Sequence, residues 1–309
     1  MIYFVAYFPP DGIFGGVRTL YRHADWLAEA GYPVAMLGYG RPTWFPSAVP
    51  VVTDNITVEA GDVFVFPETV AAEFGMVDAV LGLPNRKLLF CQNHLGVFSG
   101  RALLVEAAPR LSGVYTCAAA SARFLEAAFA LEHVAVVPPA IDPAVFTAGP
   151  KDLSVAYMPR KRSVIAGFIR GAVAAAAPDL ADVRWVEIDA RSEAETAAAL
   201  AGAAVFLSLA HEESFGLPAV EAMAAGALVV GLHGGGGREY ATTDNGVWFG
   251  ADDVEACAWA LIRLLRALKA DRQRGWRASL LAGGRATAQR YSPEHARSRL
   301  FEIFAELAE

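Results

Sequence analysis

Residues 206–240 read FLSLAHEESFGLPAVEAMAAGALVVGLHGGGGREY, and this stretch restricts the fold more than any other. Residues 205–209 form a short apolar run of the kind a buried strand requires, and residues 228–231 form a second. Between them, Pro218 suits the first turn of a helix and Gly226 suits the position just past its end. The unit is therefore strand, loop, helix, strand. Glu213 sits in the loop, and Glu221, eight positions on, lies on the helix.

The chain opens in a similar way. Residues 2–8 read as a strand, 9–16 as a loop with Gly12, Gly15 and Gly16, and Val17, Leu20, Tyr21, Ala24 and Leu27 fall on one helical face. Gly31 stops that helix and residues 34–37 make the next strand. A strand–helix–strand opening favours a parallel sheet. Residues 87–91 form a later strand that ends at Gln92-Asn93-His94. Polar residues at the carboxyl end of a parallel strand face the crevice where ligands bind. On its own, His94 reads equally as a structural histidine, and the glycines equally as a tight turn. A further strand at 154–158 runs into Arg160-Lys161-Arg162, three cations able to hold a diphosphate, by paired hydrogen bonds from arginine and as a point charge from lysine. After the second apolar run, Gly234 to Gly237 precede Arg238-Glu239-Tyr240 and are expected to form a flexible loop.

Composition enters mainly by exclusion. At 309 residues the chain has room for two domains. Its net charge is −7 and it has no basic block, which argues against nucleic acid as a partner. Cys91, Cys117 and Cys257 are scattered, as suits a reducing compartment, and form no metal-binding spacing. The N-terminus lacks the basic start of a signal peptide, and the alanine-rich run at 197–210 is interrupted by Gly202 and Ser208. The expectation is a cytoplasmic protein, with room for peripheral contact with a membrane at one surface.

The free N–H groups at the start of the 218–225 helix favour an anion such as phosphate. A carboxylate beside them suits hydroxyl groups rather than phosphate. Together they fit a sugar nucleotide. The setting EESFGLPAVEAMAAGALVVG, with its Glu-x7-Glu spacing, resembles the signature of GT-B glycosyltransferases, in particular the retaining GT4 family (glycosyl transferases group 1). The usual pattern there is E-G-F-G-L-x-x-x-E-A-M-A-x-G-x-P-V-V; here Ser214 replaces the first glycine and Leu228 the proline. Residues 134–146 resemble the V-I-P-N-G-V-D-x-x-x-F segment that closes the first domain in such enzymes, with Pro139-Ala140 in place of Asn-Gly.

The resemblance implies an α/β chain of GT-B fold: two Rossmann-like, doubly wound parallel-sheet domains facing across a cleft. It implies an acceptor-side domain over 1–148, a sugar-nucleotide domain over 149–290, a hinge near Thr147 to Asp152, where Gly149-Pro150 breaks the pattern, and a terminal helix over 291–309 crossing back to the first domain. The implied activity is retaining, metal-independent transfer from a nucleoside-diphosphate sugar to a hydroxyl acceptor; no Asp-x-Asp metal motif occurs. Arg160 and Lys161 would meet the diphosphate, Glu213 the donor sugar and Glu221 the ribose. Backbone N–H groups of Ser214, Phe215, Gly216 and Leu217 would meet sugar and phosphate. Gly15 and Gly16 would let donor and acceptor approach, and His94 would lie near the reacting sugar. The leaving phosphate would help deprotonate the acceptor, so no cofactor or nucleophilic side chain is required. Two alternatives stay open: another GT-B enzyme such as a sugar-nucleotide epimerase, or a non-catalytic subunit that binds nucleotide-sugar or carbohydrate.

Overall fold

The structure, a computed structural model, describes residues 1–70, 75–99, 101–270 and 274–307. The strands are β1 (Ile2–Val5), β2 (Val34–Leu37), β3 (Val51–Val52), β4 (Val63–Pro67), β5 (Thr69–Val70), β6 (Arg86–Cys91), β7 (Arg101–Ala102), β8 (Gly113–Thr116) and β9 (Ala135–Val136), followed by β10 (Asp152–Tyr157), β11 (Arg184–Glu187), β12 (Ala203–Glu213), β13 (Leu228–Gly235) and β14 (Val247–Phe249). The helices are α1 (Gly15–Glu29), α2 (Gly75–Gly82), α3 (Leu103–Ala107), α4 (Ala119–Phe129), α5 (Ser163–Ala176), α6 (Glu193–Gly202), α7 (Leu217–Ala224), α8 (Val254–Lys269), α9 (Arg274–Gln289) and α10 (Pro293–Glu306).

Two compact units result: Met1–Pro139 together with Ala296–Glu309, and Ala140–His295. The first holds a sheet of seven parallel strands in the order β3-β2-β1-β4-β6-β8-β9. From β1 the chain winds outward through β2 and β3, then returns to β4 on the other side and winds the opposite way. The reversal leaves a switch point between β1 and β4, the place where open α/β sheets bind ligands. Phe64, Phe66 and Leu89 are fully buried in this unit's core beside Val5 and Leu37. The last helix belongs to the same unit: Phe304 is buried with its ring 6.3 Å from that of Phe4, and Arg297 pairs with Glu29 at 3.0 Å. The strands β5 and β7 form a separate antiparallel pair.

The second unit has five parallel strands ordered β11-β10-β12-β13-β14, with its own switch point between β10 and β12. Its central strands β12 and β13 are buried along most of their length, as strands covered by helices on both faces are. The inner strands carry Val155, Val205, Leu207 and Val230, and Leu261 and Leu265 of α8 pack into the same core. Among the described residues no helix is long and apolar enough to cross a membrane.

Candidate active site

The switch point of the second sheet brings sequence-distant residues together. Past Tyr157, the end of β10, the chain turns through Pro159 and Arg160-Lys161-Arg162 into α5; the N–H of Arg162 donates to Pro159 O at 2.7 Å and tightens that turn. Next to β10, β12 runs on to Glu213. Lys161 Nζ lies 2.7 Å from Glu213 Oε1, although the two are 52 positions apart. Both side chains stay partly exposed, so the pair is open to a ligand. Arg162 turns away and donates to Ala251 O at 3.3 Å. Arg160 is exposed and makes no hydrogen bond or ion pair among the described residues.

The loop Ser214-Phe215-Gly216 then leads into α7. Gly216 is its N-cap at φ +91°, a left-handed conformation that favours glycine, and Pro218 occupies the first turn. At the other end Ala225 is the C-cap and Gly226, at φ +74°, follows it; the N–H of Gly226 donates to Met223 O and that of Ala227 to Ala222 O. This is a Schellman closure, which satisfies the last carbonyls of the helix. Glu221, on the helix, is buried. Lys151 caps two helix ends at once, donating to Leu200 O of α6 at 2.8 Å and to Ala225 O at 2.7 Å. Burial lowers its ammonium to about 8.

The four glycines at 234–237 depart from the expectation of a flexible loop. Gly234 and Gly235 complete β13, while Gly236 and Gly237 begin a buried 3-10 turn. Glycine is needed here for close approach rather than for mobility. A Cβ at Gly236 would lie 2.2 to 2.4 Å from backbone atoms of Glu213, Ser214 and Phe215, and one at Gly234 would lie 2.6 Å from Ala210. Backbone is thus stacked directly on backbone beneath Glu213.

Sequence reasoning gave no role to the aromatic floor of this loop. The ring of Phe215 is 5.1 Å from that of Tyr240 and 4.7 Å from that of Tyr291, and Trp248 lies edge-on to Tyr240 at 5.8 Å. Tyr240 Oη donates to Gly216 O at 2.7 Å. Burial, then Tyr291 and the carboxylates of Glu213, Glu221 and Glu239, raise the phenol of Tyr240, so it remains a donor. The only signal in the sequence was its position at the end of the glycine run.

The remaining candidate residues lie in the first unit. Gly15 and Gly16 form the first turn of α1 rather than a loop, and a Cβ at Gly16 would meet the amide of Gln92 at 3.2 Å. Gln92 and Asn93 are fixed by Glu68, which follows β4 directly: its two oxygens accept from the N–H of Gln92 (3.1 Å) and of Asn93 (3.0 Å). Burial raises the Glu68 carboxyl, with those N–H bonds opposing. The Nδ1 of His94 is 2.8 Å from Ser121 Oγ, its ring is 5.2 Å from that of Phe124, and burial lowers its basicity. Glu68 and Ser121 hold this corner, and no motif announced either. No group of three or more His, Cys, Asp or Glu side chains is arranged to hold a metal among the described residues.

Residues 185–278 match the family described as "Glycosyl transferases group 1". A stretch of 97 residues is 41% identical to D-inositol 3-phosphate glycosyltransferase of Xylanimonas cellulosilytica; it spans 31% of this chain and only 22% of that relative. Sucrose-phosphate synthase from Thermosynechococcus elongatus superposes with a TM-score of 0.71 at 16% identity, over 99% of this chain and 98% of the other. HepE of Anabaena, in complex with UDP-glucose, gives a TM-score of 0.67 at 14% identity over 99% of each chain. The segment from β11 to α9 thus carries the match to glycosyl transferases group 1, and the similarity that runs along the whole chain shows the GT-B fold.

Proposed function

We propose that the protein is a retaining, metal-independent glycosyltransferase that moves a sugar from a nucleoside-diphosphate sugar to a hydroxyl acceptor. The observation that carries this reading is the Lys161–Glu213 pair at the switch point of the second sheet, beside the N-terminus of α7. A cation next to unsatisfied helix N–H groups suits a diphosphate, and a carboxylate next to both suits the sugar hydroxyls. The matched family and the UDP-glucose complex of HepE support the same donor class.

In this reading a donor diphosphate displaces Glu213 from Lys161, and the freed carboxylate accepts from a sugar hydroxyl. Glu221 accepts from the ribose. As the glycosidic bond breaks, negative charge grows on the leaving phosphate. Lys161, Arg160 and the first N–H groups of α7 stabilise that charge, a preorganised effect that is large where water is excluded. A phosphate oxygen takes the acceptor proton on the face the phosphate leaves, so configuration is retained and no side-chain nucleophile is needed. The first unit takes the acceptor role, with Gly15 and Gly16 giving close backbone approach and His94 near the reacting hydroxyl. Leu95, Phe98 and Phe124 are exposed around His94 and suit an acceptor with an apolar part or held at a membrane surface.

A thermal-shift screen with UDP, GDP, dTDP and their sugars tests the donor, because a ligand that binds only the native state raises its melting temperature. Stabilisation by one nucleotide family, followed by transfer to a hydroxyl acceptor with the anomeric configuration kept, is the expected result. Release of an epimerised sugar nucleotide without acceptor would assign the site to an epimerase instead. Binding without turnover across a broad acceptor panel would assign it to a binding subunit.

A further inference from the structure

The bond from Tyr240 to Gly216 does more than hold the loop down. A trans peptide is planar, with its C=O and N–H pointing opposite ways, and no cis peptide occurs in the described chain. The Gly216 carbonyl is drawn inward onto Tyr240 Oη. The N–H of the same peptide belongs to Leu217, and it is therefore turned outward, away from the aromatic floor. Leu217 is the first residue of α7, and Pro218, the second, has no N–H. The Leu217 amide is thus the sole backbone donor in the first two helical positions, and it has no acceptor among the described residues.

The tyrosine is itself held in place. Its backbone carbonyl accepts from Asn245 Nδ2 at 2.6 Å, and Asn245 Oδ1 accepts from Trp248 Nε1 at 2.9 Å. Tyr240 Oη also fills the space that Cβ atoms would need: a Cβ at Gly216 would lie 3.1 Å from it and one at Gly237 3.3 Å.

We propose that Tyr240 is a positioning residue for the donor diphosphate: its hydroxyl turns the Gly216–Leu217 peptide so that the Leu217 N–H faces the phosphate. This rests on the nucleotide-sugar reading above. The test is calorimetric titration of the full chain and its Tyr240→Phe variant with UDP, GDP and dTDP, and with the matching nucleosides. Tyr240→Phe is expected to weaken the bound diphosphate about fivefold, the value of one mispositioned hydrogen bond, while leaving nucleoside binding unchanged. Equal weakening of both, or of neither, would overturn the assignment, since a merely structural tyrosine would not single out phosphate. Selective 15N-leucine labelling of the unmutated protein gives a second measurement that needs no variant. The Leu217 amide resonance should shift with diphosphate and stay still with nucleoside; an unmoved resonance at saturation would also overturn it. If the unmutated protein binds no diphosphate at all, the nucleotide-sugar reading itself falls and takes this one with it.

Discussion

At the carboxyl end of the second sheet, backbone rests on backbone; at the carboxyl end of the first, side chains do the holding. Gly231, Gly234 and Gly236 let β13 and its 3-10 turn press against β12 and the Glu213–Phe215 segment. In the first unit the equivalent corner is tied by Glu68, Gln92 and Ser121. The first arrangement leaves no room for a side chain at Gly231, Gly234 or Gly236. The second can change by single substitutions without disturbing the strands beneath it. Under the proposed function, the backbone-built end would serve the donor and the side-chain-built end the acceptor.

The contrast can be broken most directly at the Lys161–Glu213 pair. Lys161→Ala should lower transfer by about 100-fold or more, the scale set by loss of one group that stabilises the leaving charge, and should weaken nucleotide binding. Glu213→Gln should lower transfer comparably yet bind the free nucleoside diphosphate at least as well, because the competing carboxylate is gone. Steady-state rates alongside nucleotide titrations check both, and weakened nucleotide binding in Glu213→Gln would contradict the displacement step.

Next in size is Gly236→Ala. Its methyl group would overlap backbone that cannot move aside, so a loss of about 3 kcal/mol is expected, at the upper end for overpacking. Denaturant unfolding of the variant measures it; a loss under about 1 kcal/mol would show that the loop yields. In the first unit the comparable vulnerability is to acid. His23 on α1 is fully enclosed by Trp26, Phe90 and Tyr115, and burial, with Arg22 adding to it, lowers it to about 3. Its folded-state value lies below the unfolded value of about 6.5, so stability is complete above that pH and declines as pH falls towards 3. At pH 5 the loss from this residue is about 2 kcal/mol, readable as a fall in melting temperature that His23→Phe should reduce. The smallest effect belongs to Ser121→Ala, which frees His94: a few-fold rise in acceptor KM is expected, with donor binding unchanged. A change in donor binding instead would place His94 in the wrong half of the reaction.

How much of this could be read in advance differs residue by residue. The α7 unit was legible because proline and glycine act locally: Pro218 needs no partner to open a helix, nor Gly226 to close one. The resemblance assigns Lys161 and Glu213 to different parts of one donor; their direct pairing across 52 positions was not foreseen, since no local rule links the ends of β10 and β12. From sequence, β12 ends at 209, because His211, Glu212 and Glu213 break its apolar run. It continues because pairing is a backbone property: Glu213 still stands opposite Gly235 after a register shift. The glycine run reads as mobile from sequence for a related reason. Sequence shows the missing side chain but not the neighbour that requires it to be missing. Tyr240 and Glu68 act through bonds to backbone atoms in remote segments, which leave no periodicity or motif.

One of the quieter bonds bears on how the protein could be taken apart. Ile141 N donates to Tyr291 O at 2.8 Å, joining the segment that leads into the second unit to the one that leads out of it. Topologically the second unit is therefore an insertion whose two ends already meet. Closing so large a loop costs entropy that grows only slowly with its length, and here the native backbone performs the closure. A short linker between residues 295 and 140 would turn those 156 residues into a circularly permuted chain with new ends wherever a surface turn allows. The Lys161–Glu213 pair and the α7 turn would then stand on a portable module, free of the first unit.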